Sequence, residues 1–288
     1  MKISDILSSG KVTVSCELFP PKHGSRLGEA KEIVRRTAEL APSFISITCG
    51  AGGGTSGNTV SLADEVQNGC GITALAHLTC ISSGRSTIKE ILAELASFNI
   101  ENILALRGDM AAGATLPENA DYSHACDLMK DIRDYGGFCV GGACYPEGHP
   151  ESESLQKDLE SLKIKVDSGC QFLTTQMFFD NNILYNFMYR LLHNGIEAPV
   201  IAGIMPVTDG KQIARICKLS GTVLPARFRA IVEKFSANPA AMNQAGIAYA
   251  TEQIIDLIAN DVQYIHIYTM NKPDIAGRIM RNLSEIFK

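Results

Sequence analysis

The strongest constraint on the fold is a repeated pattern of short apolar runs that end in polar residues. Eight runs are short enough to be buried strands, and stretches with helical periodicity separate them. Runs such as Asn-Ile-Leu-Ala-Leu are almost continuously apolar, which is typical of strands buried on both faces of a parallel sheet. The polar residues at the run ends predict an active site spread over the carboxyl ends of many strands.

This pattern predicts an α/β fold, a (β/α)8 TIM barrel, with residues 1–288 forming a single domain. The predicted strands are 12–18, 44–49, 73–79, 102–107, 138–145, 171–177, 199–205 and 262–269. The predicted helices are 27–40, 59–69, 86–98, 122–135, 152–169, 182–194, 209–218, 240–260 and 273–287. The stretch 219–240 contains no strand and is expected to add an extra helix before the last strand. An open doubly wound sheet is the alternative, but no Gly-x-Gly-x-x-Gly motif opens a helix after the first strand.

Composition argues against several classes of function for this chain. A net charge of -5 argues against nucleic-acid binding, which needs clustered Lys and Arg. The sequence has no apolar run of the ~18 residues that span a membrane and no signal peptide at its start, so we expect a cytoplasmic protein. The nine cysteines include no Cys-x-x-Cys pair and are expected to be reduced thiols. Cys49, Cys80 and Cys144 end runs and could together bind zinc, but their spacing does not support it, so we predict no metal site.

Two runs end in charged residues that suit catalysis. Glu17 lies in an apolar run before Leu-Phe-Pro-Pro, where partial desolvation favours the neutral carboxyl and suits it to donate a proton. Its alternative role is an ion pair with a Lys or Arg of the barrel. Arg107, Gly108 and Asp109 follow the fourth run, where the guanidinium can hold an anionic ligand and the carboxylate can stabilise positive charge. The alternative is that Arg107 and Asp109 pair with each other.

The fifth run is followed by Tyr145-Pro-Glu-Gly-His149-Pro, whose prolines restrict the backbone and hold both rings in place. Asp158 and Lys165 lie seven residues apart on the next helix, two turns along one face. These side chains could bind a ligand at the barrel mouth. The alternatives are a solvated His149 and a solvated helix face.

Two further side chains are candidates for ligand contacts, and one further stretch is a candidate loop at the barrel mouth. His77 lies within an apolar run, where it is either a ligand contact or a core histidine satisfied by its neighbours. Gln176 ends another run, and its amide suits the edge of a heterocyclic ligand. The glycine-rich stretch 50–57 lacks the Gly-Lys-Ser/Thr ending of a P-loop and is expected to be a mobile loop over the barrel mouth.

Seven segments in this order resemble the methylenetetrahydrofolate reductases, over nearly the whole chain from Glu17 to about Lys272. They are Cys-Glu-Leu-Phe-Pro-Pro-Lys, Phe-Ile-Ser-Ile-Thr-Cys-Gly-Ala, Ala-His-Leu-Thr-Cys, Leu-Ala-Leu-Arg-Gly-Asp, Tyr-Pro-Glu-Gly-His-Pro-Glu, Thr-Gln-Met-Phe-Phe-Asp and Ala-Gly-Ile-Met-Pro-Val. The resemblance implies a (β/α)8 barrel that binds FAD non-covalently. It further implies ping-pong reduction of 5,10-methylenetetrahydrofolate by NAD(P)H through the flavin, and a homo-oligomer.

The resemblance also implies residue roles. Glu17 matches the general acid, Asp109 matches the acidic residue that favours a cationic iminium, and Gln176 matches a folate contact. The positions that match FAD contacts are Thr48, His77, Arg107, Gly108, Asp109, Ala143, Tyr145, His149, Asp158 and Lys165. Ile216 and Lys272 match two further substrate-binding positions.

Three positions depart from the family pattern. Ile216 stands where a stacking phenylalanine is usual, Cys49 where an aromatic residue is usual, and Lys272 where an arginine ends a Thr-x-Asn-Arg pattern. The Ile216 departure leaves open whether electrons come from a nicotinamide or from a partner protein subunit. A zinc- or corrinoid-dependent methyltransferase barrel is the alternative from another class. Because the chain ends at Lys288, feedback by adenosylmethionine through a following domain is not expected.

Overall fold

Eight parallel strands close into a barrel. The computed structural model describes residues 1–21, 24–49, 56–81, 83–110 and 120–287. The strands are β1 (Thr13–Leu18), β2 (Ile45–Ile47), β3 (Ala74–Thr79), β4 (Asn102–Leu106), β5 (Cys139–Cys144), β6 (Phe172–Thr175), β7 (Val200–Ile204) and β8 (Tyr264–Tyr268). They follow one another in chain order, and β8 pairs back to β1 from Thr13↔Tyr264 to Glu17↔Tyr268. The prediction of a (β/α)8 barrel is therefore confirmed.

Helices cover the outside of the barrel between the strands. They are α1 (Ile3–Leu7), α2 (Leu27–Ala38), α3 (Ser56–Asp64), α4 (Arg85–Ser97), α5 (Ala125–Tyr135), α6 (Leu155–Asp167), α7 (Asn181–His193), α8 (Gly210–Ser220), α9 (Ala226–Phe235), α10 (Pro239–Ala259) and α11 (Pro273–Asn282). Helix α9 is the extra helix expected within 219–240. None of the helices in the described residues has the length and apolar character needed to cross a membrane.

Several strands and helices are shorter than predicted, and one helix is additional. The predicted strand 44–49 is reduced to Ile45–Ile47, and the strands predicted to include Tyr145 and Gln176 end one residue before them. These polar residues therefore lie just beyond the strands, at the carboxyl-terminal end of the barrel. The predicted helix 273–287 ends at Asn282. Helix α1 was not predicted, because five residues are too few for a clear helical period and its stability depends on packing.

The barrel interior changes from apolar to polar along its axis. At the amino-terminal end, Ile3 and Leu7 of α1 pack onto an apolar cluster that includes Phe44, Leu75 and Phe172. Ser46 of β2 and His77 of β3 come two residues after Phe44 and Leu75 along the chain. Side chains alternate between the two faces of a strand, so these polar groups also point inward. The polar interior at the carboxyl end is therefore where a reactive site can form.

Candidate active site

Glu17 lies on β1 with its carboxylate facing two histidines inside the barrel. Its Oε2 is 3.7 Å from His77 Nε2 on β3 and 3.8 Å from His266 Nε2 on β8. The Glu17 side chain keeps 22% of its surface exposed, whereas both histidines are buried. No Lys or Arg pairs with Glu17 among the described residues, which therefore give no support to the alternative of an ion pair with such a side chain.

His266 is held by two serines that the sequence reasoning missed. Its Nδ1 is 2.7 Å from Ser15 Oγ, and its Nε2 is 3.2 Å from Ser46 Oγ. The Ser15 hydroxyl donates to the Ile265 carbonyl, so it accepts from Nδ1 of His266. Nε2 of His266 is then the acceptor for the Ser46 hydroxyl. The alternation in Tyr-Ile-His-Ile-Tyr was the signal that could have placed His266 inside the barrel.

His77 carries a buried nitrogen with an unmet hydrogen-bonding capacity. Its Nε2 has no hydrogen-bond partner among the described residues, because the distance to Glu17 is too long. Burial lowers the pKa of His77 to about 4, against the opposing effect of Glu17. The alternative of a core histidine satisfied by its neighbours is therefore wrong, and a ligand at the mouth could satisfy this nitrogen.

The segment after β4 presents a guanidinium beside a carboxylate. Arg107 binds both oxygens of Glu151, at 2.6 and 2.8 Å, and this pair raises the pKa of Arg107. The alternative pairing of Arg107 with Asp109 is therefore wrong, and Asp109 is exposed. Gly108 has a φ of +90°, and a Cβ there would lie 3.1 Å from Thr79 and Ile81 side-chain atoms. The turn that separates Arg107 from Asp109 thus requires glycine.

The segment after β5 folds back onto α6. The rings of Tyr145 and His149 meet edge to face at 4.6 Å, and burial raises the pKa of Tyr145 to about 12. Asp158 accepts a hydrogen bond from the His149 backbone, yet burial raises the pKa of this carboxyl. Lys165 donates to the Ala143 carbonyl at 2.5 Å. These side chains are half-buried, so the alternatives of a solvated His149 and a solvated helix face are wrong.

Gln176 follows β6 and Tyr268 ends β8, both at the carboxyl-terminal end of the barrel. The Gln176 Oε1 accepts from the Met177 amide at 2.9 Å, which leaves its Nε2 without a partner among the described residues. The Tyr268 hydroxyl donates to the Thr175 carbonyl, and burial together with the nearby Glu17 raises its pKa well above the ordinary value. Thr48 continues the pairing beyond β2, because its amide donates to the Leu18 carbonyl at 2.9 Å.

The remaining predicted positions lie at the rim. Ile216 lies on α8, half-buried against a cluster that contains Met205 and Phe228. Lys272 precedes α11 and reaches Thr208 Oγ1 at 3.4 Å. Residues 50–55 of the predicted glycine-rich loop lie outside the described part of the chain.

The cysteines at the run ends do not make a metal site in the described residues. All nine cysteines are free, and burial raises the pKa of Cys80 to about 12. Cys49 accepts a hydrogen bond from the Thr79 hydroxyl at 3.5 Å. No group of three potential ligands is close enough for a metal within the described residues.

A closed parallel barrel with an acid, two histidines, an arginine and a lysine at its carboxyl end defines an enzyme-like (β/α)8 protein. The methylenetetrahydrofolate reductase family model matches residues 2–284. The chain therefore belongs to the methylenetetrahydrofolate reductase family.

Individual relatives agree with this assignment. The chain is 35% identical over 300 aligned positions to methylenetetrahydrofolate reductase (NADH) 1 of Arabidopsis thaliana, covering 99% of this chain and 50% of the relative. It is 31% identical over 274 positions to 5,10-methylenetetrahydrofolate reductase of Escherichia coli K12, covering 95% of this chain and 91% of the relative. The chain spans about half the length of the plant relatives it matches.

A solved structure shares the fold at low sequence identity. It is an uncharacterized protein from Clostridium thermocellum that binds two copies of 5-methyl-5,6,7,8-tetrahydrofolic acid. The TM-score is 0.64 at 13% identity, with 99% of this chain and 100% of the other covered. This likeness supports the barrel fold.

Proposed function

We propose that this chain reduces 5,10-methylenetetrahydrofolate to 5-methyltetrahydrofolate, with NAD(P)H as electron donor and FAD as bound cofactor. The observation that carries the proposal is Glu17, a carboxyl group held among buried imidazoles at the mouth of a barrel of this family. The balanced reaction consumes one NAD(P)H and one proton. A site that performs it therefore needs a proton donor as well as a place for a flavin.

The residues at the mouth fit FAD. Lys165 supplies positive charge for a pyrophosphate, and Arg107 would add to it if it exchanged Glu151 for the ligand. His149 and Asp158 lie beside them on the same side of the barrel. The unpartnered His77 Nε2 suits a polar edge of the flavin ring, because a buried nitrogen of this kind needs a partner. Thr48, Gly108, Ala143 and Tyr145 are the remaining proposed contacts. When bound, FAD supplies hydride acceptance from the nicotinamide and hydride donation to the folate.

The proposed roles of the protein side chains are those that the family resemblance implies, and their placement supports these roles. Glu17 donates a proton to the folate nitrogen whose bond to the methylene carbon breaks, so that the five-membered ring opens to an iminium. Asp109, exposed at the mouth, stabilises the positive charge of that iminium. Gln176 offers its free Nε2 to an acceptor on the pterin edge. Lys272 and Ile216 lie at the rim as proposed contacts to the rest of the substrate.

The test is a set of half-reactions with purified protein. The protein should be yellow, NADH or NADPH should bleach it, and methylenetetrahydrofolate should restore the colour. Bleaching by a reduced artificial dye but by neither nicotinamide would instead indicate a partner electron carrier. A colourless protein that takes up no FAD and contains stoichiometric zinc would reject the proposal in favour of a methyltransferase.

A further inference from the structure

Phe19 is an exposed aromatic residue two positions after the proposed acid. Ser15 and Glu17 point into the barrel, and side chains two residues apart along an extended chain share a face. Phe19 continues this row toward the mouth, about 7 Å beyond Glu17. Its ring is 40% exposed. A large apolar ring at this place is available to a ligand rather than to the core.

No other exposed aromatic side chain of the described residues is placed in this way. The other two are Tyr135, which packs on Phe138 before β5, and Tyr189, which stacks on His193 of α7. Both lie at the carboxyl-terminal parts of outer helices, away from the mouth. Phe19 has no ring partner among the described residues and is free to stack.

The backbone of Phe19 is held by a side chain from the other end of the sequence. The Asn271 amide accepts from the Phe19 amide through Oδ1 and donates to the Phe19 carbonyl through Nδ2, both at 2.9 Å. The Leu18 carbonyl is bound on the opposite side by the Thr48 amide. Pro20 then restricts Phe19 to extended conformations. The ring is thus carried on a segment that is paired on both sides beyond the end of β1.

The turn that supplies Asn271 is itself in an unusual conformation. Met270 and Asn271 have φ values of +53° and +56°, two consecutive left-handed residues of which neither is glycine. The buried Thr269 hydroxyl donates to the Glu17 carbonyl at 2.6 Å and accepts from the Asn271 amide. Such a backbone persists only when its surroundings fix it, and it is common at functional sites.

We propose that Phe19 is a specificity-determining residue whose ring stacks on the planar heteroaromatic part of the substrate, and that Asn271 is the positioning residue that presents it. The proposal rests on the folate-reducing function above, since that function supplies a substrate with flat rings. It also gives the barrel an aromatic contact that Ile216, half-buried on α8, lacks.

The first test measures binding of 5-methyltetrahydrofolate to the flavin-loaded protein by calorimetry. Phe19→Leu should weaken binding by about fivefold, the size expected for one lost aromatic contact, while Phe19→Tyr keeps it. Tyr189→Leu, a matched exposed aromatic on α7, should leave binding unchanged. If Phe19→Leu loses its melting transition, Phe19→Met takes its place.

Two negative results would distinguish a failure of the proposed function from a failure of the inference about Phe19. If the wild-type protein binds no reduced folate, the proposed function itself is wrong. If the wild type binds it and folded Phe19→Leu binds it equally well, the inference is overturned and the function stands.

The second test asks whether Asn271 acts through Phe19. Asn271→Gly removes the amide while suiting the left-handed backbone, and it should raise the KM for the folate by a few-fold with little change in kcat. Asn271→Asp keeps the acceptor and loses the donor, so its KM should lie between those of the wild type and of Asn271→Gly. Because the two residues are coupled, Phe19→Leu combined with Asn271→Gly should be no weaker than the worse single variant. Additive losses would overturn the positioning role.

Discussion

Among the described residues, Glu17 has two imidazoles beside it rather than a lysine or arginine side chain. The Nε2 atoms of His77 and His266 lie 3.7 and 3.8 Å from the Glu17 carboxylate. Ser15 and Ser46 fix the His266 ring, so its orientation toward Glu17 is set before a ligand arrives. This fixed geometry supports the proton-donor role proposed for Glu17.

The first prediction concerns the proton donor. Glu17→Gln should slow folate reduction by about 10²-fold or more, because the amide cannot donate a proton of comparable acidity. Flavin reduction by the nicotinamide needs no such proton and should remain within about twofold of the wild type. Stopped-flow absorbance of each half-reaction measures both. Glu90→Gln, an exposed glutamate on α4, is the control. Equal loss in both half-reactions would remove Glu17 from this role.

The second prediction follows from the buried His77. Its pKa is about 4 in the folded protein and near 6.5 when unfolded. Between these values the unfolded chain binds more protons, so stability rises with pH across this window and falls as pH drops from 6.5 toward 4. His77→Gln should remove up to about 3 kcal/mol of the stability change across this window.

Urea unfolding at several pH values between about 4.5 and 7, without added flavin, tests it. The exposed His193→Gln on α7 should keep the wild-type slope. A His77→Gln variant with an unchanged slope would show that burial does not suppress protonation of this imidazole.

At the level of elements, the sequence was informative where a pattern is local. Apolar runs and helical periods placed all eight strands within a few residues and anticipated α9. The sequence also placed Glu17, Arg107 and Gln176 at strand ends, where the structure has them. It missed Ser15 and Ser46, because a serine within an apolar run has no function that its neighbours in sequence reveal. Only closure of the barrel brings those serines to His266.

The third prediction concerns helix α1, which sequence patterns did not reveal. Leu7 is 1% exposed and packs into the apolar cluster that closes the amino-terminal end of the barrel. Leu7→Ala should therefore lower the free energy of unfolding by about 2–4 kcal/mol through lost burial and a residual cavity. Leu192→Ala, at an exposed leucine of α7, should change it by less than about 0.5 kcal/mol.

Because α1 lies opposite the mouth, folded Leu7→Ala should keep the wild-type KM for the folate. Denaturant unfolding and steady-state kinetics measure the two effects. A loss of substrate affinity without a loss of stability would contradict the role assigned to α1.

At the scale of the whole molecule, the site depends on contacts between the two ends of the chain. β1 pairs with β8, His266 reaches Ser15 over 251 residues, and Asn271 reaches Phe19 over 252 residues. No local pattern encodes such pairs, which is why the apolar runs could place Glu17 in a strand but could not identify the residues around it. The same closure implies that a ligand at the mouth, touching several strands at once, stabilises the barrel as a unit.

The last prediction concerns the stabilisation of the barrel by a ligand bound at the mouth. A ligand that binds only the folded state at about 100 times its dissociation constant adds about 2.7 kcal/mol of stability. FAD at that excess should therefore raise the melting temperature by roughly 5 °C or more for a domain of this size. Lys165→Met removes a cation and its bond to the Ala143 carbonyl, so it should need a higher FAD concentration for the same shift.

Lys163→Met, at an exposed lysine of the same helix, is the matched control for that measurement. It should need the same FAD concentration as the wild type, because Lys163 lies outside the mouth and bonds the Asn194 carbonyl between helices instead. Differential scanning fluorimetry over a range of FAD concentrations gives the comparison. Equal FAD requirements in the two variants would show that Lys165 does not contact the cofactor, whereas no shift in the wild type would argue against FAD itself.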